Sequence, residues 1–134
     1  MSNVKWQRSN GKCEDASEAV ARRLMTFGVR AGKVVDALPD TKLGRHIAGQ
    51  LVRCATSPIP NYEESRAAES RADFVHKRSV VLKELRESVG WLRFISEAEL
   101  LSVRKLGNLI DEGEQLKKMF AKSIVTTKSR PSRV

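Results

Sequence analysis

The chain has 134 residues, 40% of them hydrophobic but only 5% aromatic, with 25 Lys and Arg against 16 Asp and Glu for a formal net charge of +9. That is one domain's worth of chain, and its core is better suited to aliphatic helices than to a β-sandwich. No run approaches the ~18 apolar residues of a membrane span, the stretch Met1 to Lys12 has no apolar secretion segment, and the unpatterned Cys13 and Cys54 read as reduced thiols, so a cytoplasmic protein is expected.

Val20, Leu24, Phe27, Ala31, Val34 and Leu38 recur at steps of 4, 3, 4, 3 and 4, a stripe that faces a bundle core. Ser17 with Glu18 supplies a start and Pro39 a stop, which predicts a first helix from about Asp15 to Ala37. Within it, Gly28 and Gly32 form a GxxxG spacing. Each glycine costs about 1 kcal/mol relative to alanine, which a close helix approach would offset, although a tolerated pair fits the sequence equally well.

The second helix begins near Thr41 with Leu43, Ile47, Leu51 and Cys54 on one side. Pro58 and Pro60 lack the amides an interior turn uses, so one kinked element is expected, resuming over Asn61 to Glu69. Arg53, Asn61, Glu64 and Arg71 near this kink are candidates for a structural polar network that satisfies the freed backbone groups.

Ser70 to Asp73 and Ser96 to Glu99 have capping-box form, which predicts a third helix over about Arg71 to Ile95 and a fourth over about Glu97 to Thr126. The fourth carries one clean stripe of Leu106, Leu109, Gly113, Leu116, Phe120 and Ile124. The third is apolar over more of its circumference: Phe74, Val81, Leu85, Leu92 and Ile95 make one stripe, while Val75, Val80, Leu82, Val89, Trp91 and Phe94 spread over the rest. A second apolar face predicts a subunit interface, with Val80, Trp91 and Phe94 as its candidate residues. The resulting organisation is a basic polar arm over 1–13, a four-helix domain over 14–126 and a basic tail over 127–134.

The charge is unevenly placed. All 16 acids lie between Cys13 and Phe120 with 18 of the basic residues, leaving that body at 18 − 16 = +2. Lys5, Arg8, Lys12, Lys122, Lys128, Arg130 and Arg133 fall in end segments with no acid. Such arms attract polyanions through counterion release, without sequence readout, or simply keep the protein soluble. Trp6, between Lys5 and Arg8, could stack on an unpaired base or fold back over the bundle end.

Chemistry finds little purchase. Glu63, Glu64, Glu69, Asp73 and His76 are the densest titratable cluster, with Asp73 and His76 sharing a helix face at i, i+3. A carboxylate-bridged di-iron bundle needs Glu-x-x-His on two helices, and the only other histidine here is His46, in His46-Ile47-Ala48-Gly49. No nucleophile elbow, Walker loop or dinucleotide-binding glycine pattern occurs. The expectation is a non-enzyme with no metal, no cofactor and no small-molecule substrate.

Asn61-Tyr62-Glu63-Glu64-Ser65, Ala68-Glu69-Ser70-Arg71-Ala72-Asp73-Phe74, Val81-Leu82-Lys83-Glu84-Leu85-Arg86-Glu87 and Trp91-Leu92 together resemble a family signature. Leu38-Pro39 and Gly44-Arg45-His46-Ile47-Ala48-Gly49-Gln50-Leu51-Val52-Arg53 add to it. The family is that of the four-helix bundle proteins named after intervening sequences in bacterial 23S ribosomal RNA, and the resemblance covers about Ala19 to Lys128. The chain departs from it at Pro58-Ile59-Pro60, where members usually carry Ser, Ile, Gly, Ala or a single Pro. The resemblance implies an all-α, left-handed up-and-down four-helix bundle, often a homopentamer, of unsettled biochemical role. At the level of fold it is also similar, more distantly, to the pentameric accessory protein of diversity-generating retroelements, which binds nucleic acid and a reverse transcriptase.

Two readings follow. In the first, an oligomeric adaptor contacts the phosphate backbone of RNA or another nucleic acid through Lys5, Arg8, Lys12, Arg22, Arg23, Lys117, Lys118, Lys122, Lys128, Arg130 and Arg133. In an up-and-down bundle the first helix begins and the fourth finishes at the same end, which would gather these cations. In the second, self-association through the third helix is the whole activity, a scaffold for protein interaction without nucleic-acid binding.

Overall fold

Asp15 accepts from the Glu18 amide at 2.8 Å and so caps α1 (Ala16–Ala37), a role the sequence had suggested for Ser17. The structure, a computed structural model, describes residues 15–131. The chain leaves α1 at Leu38, held extended ahead of Pro39, and Thr41 accepts from the Gly44 amide at 3.0 Å to start α2 (Lys42–Thr56). Any Cβ at Gly44 would collide with the Pro39 carbonyl oxygen, so this tight α1–α2 connection requires glycine.

The two prolines break the second rod without unfolding it. Ser57 keeps helical dihedrals of φ −56° and ψ −36° and donates to the Arg53 carbonyl at 3.0 Å. Pro58 then opens α3 (Pro58–Arg66), its fixed φ suiting the first position of a helix. The Cys54 and Thr56 carbonyls lose their amide partners to the two prolines, and the rod kinks there as expected. At the kink α1 comes close: a Cβ on Gly28 would lie 3.0 Å from Ile59 Cδ1 and 3.2 Å from the Ala55 carbonyl oxygen, whereas one on Gly32 would meet nothing within 4 Å. The GxxxG spacing therefore contains one close contact rather than two.

Ser70 caps α4 (Arg71–Glu97), accepting from the Asp73 amide at 3.0 Å. The fourth helix does not begin at Ser96. Ser96 and Glu97 form the last turn of α4, which closes when the Leu100 amide reaches back to the Ile95 carbonyl at 3.0 Å and the Glu99 amide to Ser96 at 3.1 Å. That is a Schellman ending, with Glu99 at φ 56° in the left-handed position usually held by glycine. A capping-box pattern cannot by itself tell a start from a stop, and here the apolar run of α4 continues through Ile95. The last helix, α5 (Val103–Ser129), starts later and runs further than the sequence suggested, so Thr127, Lys128 and Ser129, assigned above to a tail, are helical.

Among the described residues the fold is all helical, four rods with the second broken into α2 and α3. The α2/α3 rod and α5 each pack against both α1 and α4, whose backbones stand diagonally opposite across the core. Neighbours run antiparallel: Tyr62 Oη at the end of the second rod donates to the Ser17 carbonyl at 3.1 Å, and Arg71 at the start of α4 donates to the Arg130 and Pro131 carbonyls at 2.8 and 2.9 Å beyond the end of α5. The common core is Leu24, Phe27 and Ala31 against Ile47, Leu51, Tyr62, Leu85, Leu92, Leu116 and Phe120, all essentially closed to solvent. No helix among the described residues is long and apolar enough to cross a membrane.

Because α4 lies between two neighbours, its apolar breadth is used largely inside one chain. Leu82 and Val89, expected on an outward face, are buried, and Val89 points at Gly113 of α5. What stays outside is a narrower strip.

Candidate nucleic-acid interface and subunit face

Arg23 joins α1 to α5. Its Nε and Nη2 bind the Glu112 carboxylate in a two-point clamp at 2.9 and 2.8 Å, Nη2 also reaches Gln115 at 3.2 Å, and Nη1 lies 3.2 Å from Met119 Sδ. The Glu112 hydrogen bond, outweighing desolvation, raises the Arg23 pKa above its ordinary value. A guanidinium so committed orients the two helices and has less to offer a ligand. Lys117 is similarly engaged with Glu114 at 3.0 Å, a carboxylate that Arg93 also holds at 2.6 Å.

The other candidate cations are exposed. Arg22 on α1, Lys118, Lys122 and Lys128 on α5, and Arg130 just past its end all face solvent, and the three lysines make no ion pair among the described residues. Lys5, Arg8, Lys12, Trp6 and Arg133 lie outside the described residues. The same α1/α5 surface holds cations that sequence reasoning passed over. Arg30 stands seven residues after Arg23 and Lys33 eleven after Arg22, the spacings of one helical stripe, and with Lys105 they border a cleft floored by Val34, Ala37, Leu101, Leu106 and Leu109. Arg104, the residue before Lys105, is exposed. Several carboxylates are already engaged elsewhere: Arg66 of α3 binds Glu63 on its own helix and Glu18 of α1, and Lys77 of α4 binds Glu64 of α3.

The expected polar network forms only in part. Arg53 Nη1 donates to Glu84 at 3.2 Å, Ser57 Oγ donates to the other Glu84 oxygen at 3.4 Å, and Asn61 Nδ2 donates to Ser57 Oγ at 3.1 Å and to the Ser57 carbonyl at 2.9 Å. Arg53 and Asn61 are thus linked, but through Glu84 and Ser57, which the sequence did not single out. Arg53 also holds Glu87 at 2.9 Å, and these two glutamates raise its pKa, the Glu87 hydrogen bond most. Glu64 and Arg71 belong elsewhere, to Lys77 and to the end of α5. The reason is the antiparallel packing, which sets the middle of α4 rather than its start against the kink.

Along α4 the positions i, i+4, i+7, i+11 and i+14 are Val80, Glu84, Glu87, Trp91 and Phe94, one stripe whose middle faces α2. Its far half is an apolar patch: Trp91 meets His46 edge-on at 5.9 Å and Phe94 at 6.0 Å, and Phe94 is 42% exposed. Gln50, Arg53, Glu87 and Gly90 complete a shallow cleft around both rings. Val80 is half-buried at the other end of the stripe.

These features define a class: a small helical bundle with a cationic α1/α5 face and, on α4 opposite α1, an exposed aromatic patch. No group of His, Cys, Asp and Glu able to hold a metal occurs among the described residues. The chain belongs to the 23S rRNA-intervening sequence protein family, which it matches over residues 18–122. It is similar to the crystal structure of a protein of unknown function from the S23 ribosomal protein family of Bacteroides thetaiotaomicron VPI-5482, with a TM-score of 0.73 and 26% identity over 78% of this chain and 97% of that one. No curated protein matches.

Proposed function

We propose that this protein is a non-enzymatic, cytoplasmic adaptor that holds the phosphate backbone of RNA against its α1/α5 face. The observation that carries this reading is the gathering of Arg30, Lys33 and Lys105 around one cleft where the first and last helices meet, with Arg104, Lys118 and Lys122 exposed along the last helix. Phosphate contacts of this kind give affinity and register without base readout. The bundle is read as left-handed and assembled as a homopentamer, the state that the family resemblance implies, so each copy repeats the face and avidity multiplies weak contacts. Arms bearing Lys5, Arg8, Lys12 and Arg133 would add to the same field.

A second reading, a protein-interaction scaffold without nucleic-acid binding, is favoured by the Trp91 and Phe94 patch. Binding of a labelled structured RNA and of duplex DNA, across a salt series, separates the two. The intact chain should bind RNA with a steep log-salt slope, and Lys118→Glu with Lys122→Glu should flatten that slope by roughly 1 to 2 units. Removing residues 1–12 and 132–134 should flatten it further. No binding at low salt would leave the scaffold.

A further inference from the structure

Among the described residues, Arg78 is a cation without a carboxylate partner. It stands in the second turn of α4, half-buried where all four rods converge, and its guanidinium lies 4.3 Å from the ring centre of Phe74, 5.0 Å from Tyr62 and 5.6 Å from Phe120. Its Nε donates to Ser65 Oγ at 3.3 Å and Nη1 to Ser123 Oγ at 2.8 Å. Desolvation is the largest influence on it and lowers its pKa from the usual arginine value, with Tyr62 opposing. Elsewhere the chain answers such a group with an anion, as Glu112 answers Arg23 and Glu18 answers Arg66. Rings and neutral hydroxyls hold Arg78 in place but leave its charge uncancelled, and burying an uncancelled charge is expensive.

Beside it is a cleft of about 200 Å³ lined by Val20, Arg78, Met119, Phe120 and Ser123. Two of the guanidinium's five N–H donors are used in the bonds to serine, so its Nη edge keeps donors for a planar acceptor. The remaining walls are almost wholly apolar. In liquid terms the space is roughly six or seven waters. We propose that this cleft is a binding site for a short-chain aliphatic carboxylate, its head on the Arg78 guanidinium beside Ser123 and its tail against Val20, Met119 and Phe120. Phosphate fits the head but leaves the apolar walls empty, so selectivity runs toward the acid with a tail. The assignment does not depend on RNA binding, and its failure leaves that reading untouched.

The test is an NMR titration of the intact protein with hexanoate and butyrate, beside inorganic phosphate and chloride, following the Arg78 Nε–Hε, Met119 methyl and Val20 methyl signals. Saturable shifts at these three residues, tighter for hexanoate than for butyrate or phosphate, are expected. Arg78→Met should weaken hexanoate by roughly tenfold or more. That substitution also removes the stack on the three rings, so Met119→Phe, which fills the cleft and keeps the guanidinium, is the second variant and should block binding with the fold intact. No saturable shift in the wild-type protein, shifts equal for phosphate and hexanoate, or hexanoate binding unaffected by Met119→Phe would each overturn the proposal.

Discussion

Glu99 carries a left-handed φ of 56° because the α4 ending needs that conformation, and the sequence supplies a residue that pays for it in backbone strain. Glu99→Gly should therefore raise stability by about 0.5–1 kcal/mol, read from the urea midpoint at unchanged m-value. Cys54 is the opposite kind of residue, well suited to its place. It is fully buried with its thiol 3.6 Å from the Leu51 carbonyl, and burial, more than any neighbouring charge, pushes its pKa up. A thiol raised in the folded state contributes stability that is complete below its unfolded pKa of about 8.5 and is lost as pH climbs through the folded value. In a Cys13→Ser background, stability should fall from pH 8 to 10 more than it does with Cys54→Ala added, and labelling of Cys54 at pH 8 should follow unfolding. The φ at Glu99 was not legible beforehand, since it depends on the loop to α5; Cys54 stood on the apolar side of the second helix with Ile47 and Leu51, but the depth of its burial came from the helices packed over it.

At the scale of elements, the kink between α2 and α3 is both a sequence feature and a tertiary one. Pro58 and Pro60 announce it, but Glu84 of α4 stabilises it by accepting from Arg53 and Ser57 while itself 9% exposed. Glu84→Ala should cost about 1–2 kcal/mol in chemical denaturation, and Glu84→Gln, which still accepts, less. The stripes of α1 and α5 read from sequence correspond to what is buried: Leu24, Phe27 and Ala31, and Leu106, Leu109, Leu116 and Phe120. For α4 the reading went too far outward, because a rod between two neighbours buries both flanks, Leu82 and Val89 included. Ser96 misled for a related reason, since local pattern cannot register that the apolar run of α4 has not yet ended.

For the whole molecule, the exposed remainder of that stripe is the surface through which copies would meet under the proposed assembly. Trp91 and Phe94 with His46 form a ring cluster on the side of α4 away from α1, so assembly through it leaves the cationic α1/α5 face open. Under the proposed assembly, Trp91→Asp with Phe94→Asp should give monomers in multi-angle light scattering at micromolar concentration; Phe94 adds little to the single-chain core but Trp91 packs partly against it, so far-UV dichroism is measured beside the mass to separate dissociation from unfolding. An unchanged mass in the double variant, or a monomeric wild-type chain, would remove the subunit face. Loss of RNA binding on dissociation would identify avidity, rather than any single face, as the source of affinity.

Helix number, the core stripes, the caps at Thr41 and Ser70, the proline kink and the family were all determined by the sequence alone. Each is written in local spacing, where a few residues decide backbone conformation or present one face. Only the tertiary structure decided which charges are spent and which remain. Arg23 meets Glu112 across 89 residues of chain, Arg53 meets Glu84 across 31, and Arg78 finds rings and serines with no carboxylate among the described residues, because antiparallel packing alone determines what stands opposite each side chain.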